Sequence, residues 1–166
     1  MLARIEDEAL KNFLAQNFLA ASWYDVMPLL AFSKMAAQVA NVPHSKYARD
    51  GARFTANRDI NGVHRVFLKL ASPKLVADRL PRMMLQYFDF GSVEAEATGP
   101  RSYEILAREI PEPISEWLML MIEGFVPVAL QLAGAQSVVA KMDPPKPDGS
   151  AKGVSLVATR LHLVWV

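Results

Sequence analysis

The chain has 166 residues, 52% of them hydrophobic and 21% charged, with a formal net charge of +1 and no cysteine. That size and composition suit one globular domain over 1–166, burying about 70% of its unfolded surface. The lack of cysteine excludes disulfides, thiolate catalysis and cysteine-ligated metals, and the near-neutral charge with few interleaved aromatics argues against nucleic acid.

The first half reads as helices. Acidic residues near the start (Glu6, Asp7, Glu8) stand where a secretory signal would carry basic ones, so the expected location is cytoplasmic. Ile5, Ala9, Leu10, Phe13 and Leu14 form a helical stripe over Ile5–Phe18. Ser22 and Asp25 are candidate caps for a second helix to Ala40, which Asn41-Val42-Pro43 ends. A third helix is predicted over Ser45–Asn57, a turn at Asn61-Gly62, and a short helix over Val63–Leu70. Ser72-Pro73 opens another, with Ser as cap and Pro where its missing N–H costs nothing; Pro81 is expected to kink or restart it before Phe90-Gly91.

The second half changes period. Ser92–Thr98 and Arg101–Ile110 alternate about Gly99-Pro100, which reads as an antiparallel hairpin. Pro111 and Pro113 then open the apolar run Ile114–Ala133, which Gly134 ends. This run reaches the length of a membrane span, about 20 residues. Glu116, Glu123, Gly124 and Pro127 interrupt it, so the expectation is a buried helix and no membrane span. Ala135–Met142 reads as a third strand, 143–153 as a surface loop rich in Pro and Gly, and Val154–Val166 as a long last strand, apolar on both faces and so central or covered on both sides. The expected fold is α+β: N-terminal helices packed on a four-stranded, mostly antiparallel sheet, with one long apolar helix between two strand pairs.

The strings SWYDVMPLLAF, YARDGARF, LASPKLVADRLPRMMLQYFDFGSVE, EGFVPVALQLAGA and LHLVW, in this order and spacing, resemble a paralogous family of uncharacterised myxobacterial proteins. The likeness spans nearly the whole chain. That family is similar in turn to the superfamily of haem nitric-oxide-binding, vinyl-reductase-like ligand-binding and transport-particle domains. The resemblance implies an α+β domain that binds a small apolar ligand or a partner protein and is not an enzyme. The chain departs from the haem branch, which needs an axial histidine on a helix ahead of the hairpin and a Tyr-x-Ser-x-Arg triplet. Its histidines are His44, His64 and His162; none lies in Ser72–Phe90, and the triplet is absent.

No residue cluster has the density of a catalytic or metal site. The three histidines are widely spaced, no Gly-x-Ser-x-Gly string is present, and Asp59-Ile60-Asn61-Gly62 lacks the rest of a calcium loop. Residues 44–82 carry nine Lys/Arg against three Asp/Glu, and Lys46, Arg49 and Arg53 share one helix face. Such a face holds an anionic partner or, more plainly, pairs with its own acids. Methionines and aromatics cluster on two helices, where they fill a core or line a ligand cavity. The ligand-site candidates are Met84, Tyr87 and Phe88 on the first and Trp117, Met121 and Phe125 on the second, with Arg53, Arg65 and Tyr87 as polar anchors. The sequence thus points to a non-enzymatic sensory or ligand-binding domain for a small apolar or amphipathic molecule, signalling through a partner, with no cofactor. The alternatives are a homodimeric interaction module and a haem-binding gas sensor, with His64 its helical candidate ligand.

Overall fold

The computed structural model describes residues 5–19, 22–61 and 72–166. The elements are helices α1 (Glu8–Ala15), α2 (Met27–Val39), α3 (His44–Asn61), α4 (Pro73–Tyr87) and α5 (Glu112–Leu132), and strands β1 (Ser92–Gly99), β2 (Ser102–Pro111), β3 (Val138–Met142), β4 (Lys146–Ala151) and β5 (Val154–Trp165). Contacts divide the chain into two compact units, 1–47 and 48–166. The expected helix over Val63–Leu70, and with it His64 and Arg65, lies outside the described residues.

In the first unit, Asp7 caps α1 by accepting from the Leu10 N–H at 3.1 Å, and Asp25 accepts from the Met27 N–H at 2.9 Å. Each satisfies one of the backbone donors that a helix start leaves open. Phe13, Phe18 and Tyr24 meet edge to face, the arrangement their ring quadrupoles favour.

The second unit is an antiparallel sheet of order β1-β2-β5-β3, with β4 paired to the start of β5. Helices α4 and α5 pack on one face of it. The alternation of β2 is realised: Tyr103, Ile105 and Ala107 are buried. On β5, Leu161, Leu163 and Trp165 point the same way. The buried side of α5 recurs every three or four residues through Ile114, Trp117, Leu118, Val126, Ala129 and Leu130. Ile114, Leu130 and Leu163 are among the largest fully buried side chains. By length and composition α5 can cross a membrane, and half of its apolar window is buried in the fold. Gly134, at φ +106°, ends the helix in a conformation that side-chain-bearing residues avoid.

The departures from expectation have local causes. The sheet has five strands rather than four, because part of the predicted loop 143–153 pairs with β5 as β4. Helix α3 runs through Asn61, past the expected end at Asn57 and into the expected turn. Pro81 lies inside α4 and the helix continues through it. One hydrogen bond is forgone there, while Val76, Ala77 and Leu80 anchor the helix in the core. Strand β5 is central, but only one of its faces is covered: Val164, on the other, is 49% exposed.

Candidate functional site

Helices α4 and α5 and the inner sheet face line a half-open cavity of about 170 Å³, wholly within the 48–166 unit. The α4 side supplies Leu80, Met83, Met84, Tyr87 and Phe88. The α5 side supplies Trp117, Leu118, Met121, Ile122, Phe125 and Val126. The floor is Val93, Ile105, Ala107, Met142 and Leu161 from four strands, and Thr55 of α3 completes the wall. Among the described residues, the surface facing the cavity is wholly apolar.

Helical geometry explains why the sequence reached this site. Met84 and Tyr87 stand three residues apart on α4 with Phe88 at its C-cap, and Trp117, Met121 and Phe125 four apart on α5, so each set shares a helix face. The fold turns both faces to the same cavity. The two arginines expected as anchors fare differently. Arg53 is not among the lining residues; its guanidinium meets Asp50 at 3.3 Å on the surface. Arg65 lies outside the described residues. The floor residues were missed, although the inward-facing set of the hairpin already contained Val93, Ile105 and Ala107.

Polar groups elsewhere in the unit are engaged. Arg49 on α3 meets Glu123 on α5 at 2.7 Å, so the acid in the apolar run faces a partner helix. His162 lies between Asp143, at 3.1 Å, and Glu104, at 3.4 Å, on the sheet. Among the described residues no group of three or more His, Cys, Asp or Glu is placed to hold a metal ion.

A second cluster had no sequence signal beyond a Lys and an Asp one helical turn apart. Tyr103, buried on β2, donates its hydroxyl proton to Asp78 of α4 in a short hydrogen bond. Lys74 donates to the Tyr103 hydroxyl at 3.0 Å and to Asp78 at 2.9 Å. The hydrogen bonds from Tyr103 and then Lys74 hold the Asp78 carboxyl below its ordinary value. Those to Tyr103 and Asp78 push Lys74 up to about 12. Tyr103 also stacks on Trp165 with ring centroids 5.8 Å apart. The cluster pins α4 to the sheet and does not line the cavity.

No protein-family model matches the chain, and no curated protein matches it in sequence. Solved structures do share its fold. A ferrous, unliganded H-NOX protein from K. algicida is 10% identical with a TM-score of 0.64, covering 99% of this chain and 89% of its own. A mutant T. Tengcongensis H-NOX gives 10% and 0.64, with 95% and 85% covered. A structure titled for heme distortion in the H-NOX family gives 10% and 0.64, with 93% and 82% covered. The α+β fold is therefore that of H-NOX domains, in line with the superfamily resemblance in the sequence.

These structures stand against the expectation that the chain takes no cofactor, since heme is named for that H-NOX structure of the same fold. Among the described residues the cavity wall has no imidazole for iron, and no polar group faces the cavity to meet a propionate. The described wall does not fit haem. His44 bonds Ser33 at 3.1 Å in the first unit and His162 is held on the sheet; His64 lies outside the described residues.

Proposed function

We infer that the chain is a ligand-binding sensory domain, not an enzyme, whose cavity takes a small apolar or amphipathic molecule and whose occupancy is passed to a partner protein. The observation that carries this is the cavity itself. Protein interiors are close-packed, and an apolar pocket of about 170 Å³ kept open between two helices and a sheet leaves its lining short of packing partners. A chain that keeps such a void between two helices and a sheet has a use for it. The apolar wall supplies affinity by removing apolar ligand surface from water. Because α4 and α5 each supply wall residues, filling the cavity biases the packing of both helices on the sheet. Met83, Met84, Met121 and Met142 let the wall adapt to its occupant.

The test is to purify the protein from cells, denature it, and examine the extract by mass spectrometry and the intact protein by absorption. A stoichiometric small apolar molecule supports the proposal. A Soret band replaces it with haem. An empty extract, together with no binding of any hydrocarbon probe, overturns it.

A further inference from the structure

The wall chemistry narrows the class of molecule the cavity takes; this inference rests on the ligand-binding proposal above. The geometry points to a neutral, compact aromatic molecule as the ligand, with the cavity methionines setting the preference for an aromatic ring over an aliphatic one.

Charge is the first constraint: among the described residues no polar or ionic group faces the cavity. Neither the Thr55 hydroxyl nor the Tyr87 phenol contributes polar surface to the cavity. A carboxylate or ammonium placed inside loses its water and gains no partner, which is prohibitive. Size comes second. A volume of about 170 Å³ matches a benzene-scale occupant.

The third constraint is polarisability. Four of the protein's eight methionines, Met83, Met84, Met121 and Met142, line this one cavity. They come from α4, α5 and β3, so thioethers reach the occupant from three elements. A sulfur against an aromatic ring strengthens binding by about two- to tenfold, and a saturated ring gains nothing equivalent. Phe88, Trp117 and Phe125 add ring edges and faces to the same wall. A cavity that read apolar area alone would prefer cyclohexane, the more hydrophobic of two six-carbon rings. Preference for benzene is therefore the signature of this wall.

The experiment titrates the whole chain with benzene, cyclohexane and benzoate, following side-chain methyl resonances. It is repeated on a variant carrying Met84→Leu and Met121→Leu, which keeps volume and removes two sulfurs. Benzene should bind more tightly than cyclohexane, by up to about tenfold. Benzoate should not bind, and the ratio of benzene to cyclohexane affinity should fall in the variant. Cyclohexane binding equally or more tightly, benzoate binding as benzene does, or an unchanged ratio in the variant each overturns this inference and leaves the ligand-binding proposal standing. Binding of neither hydrocarbon overturns both.

Discussion

Helix α5 is packed in two opposite ways within a single turn. At Gly124 it lies so close to α3 that an added Cβ would collide with the Arg49 carbonyl oxygen and sit 2.8 Å from the Ala52 Cβ. Ala48, Ala52 and Ala56 form the facing stripe on α3, all nearly or fully buried. At Met121 and Phe125, the residues three before and one after, the same helix borders about 170 Å³ of open space. A helix held without room for one methyl on one side is not loosely packed on the other by accident. The close contact with α3 fixes where α5 lies, and the void against α4 and the sheet is then a property of the fold.

That contrast is open to attack from both sides. Gly124→Val drives a branched side chain into the α3 backbone and should cost about 3 kcal/mol, read as a lowered midpoint in urea with an unchanged slope. An unchanged midpoint would mean that α3 and α5 are not in close contact. Ala107→Leu on the cavity floor should have the opposite sign, since the added carbons enter empty space. We expect a gain of about 1–2 kcal/mol and loss of hydrocarbon binding. Destabilisation by Ala107→Leu would mean the space is already filled.

Tyr103→Phe tests the pin that holds α4, one wall of the cavity, to the sheet. It should cost about 1 kcal/mol through the lost hydrogen bond to Asp78. The pH dependence sharpens this. Asp78 has a lowered carboxyl pKa in the fold, so its contribution is present above the ordinary value of 3.8 and is lost as pH falls through the depressed one. Lys74 is raised, so its contribution is present below 10.5 and is lost as pH rises through about 12. The stability difference between the native chain and Asp78→Asn should therefore be flat near neutrality and shrink in strong acid. A difference that persists there would detach Asp78 from the pin. The smallest effect is expected on the open sheet face, where Val164→Thr should change stability by no more than about 0.5 kcal/mol.

Much of this was legible because it is periodic. The spacing of Ile114, Trp117, Leu118 and Leu130 and the alternation of Tyr103, Ile105 and Ala107 are set by backbone geometry, so they survive without a structure. The six cavity residues on α4 and α5 were visible for the same reason. What escaped depends on partners distant in sequence. Strand β4 carries Pro147 and Gly149, poor strand residues, and forms because β5 is long enough to pair with it beyond β3. Pro81 did not break α4 because the core contacts around it outweigh one hydrogen bond. Arg53 looked like an anchor because it shares a face with Lys46 and Arg49; the fold gives it Asp50 instead. The Tyr103–Asp78–Lys74 cluster joins residues 25 and 29 positions apart, beyond the reach of any local pattern.

The most direct measurement is a calorimetric titration of benzene into the native chain and into Ala107→Leu side by side. A functional void predicts saturable one-to-one binding to the native chain and none to the variant. Equal, unsaturable uptake by both would contradict it.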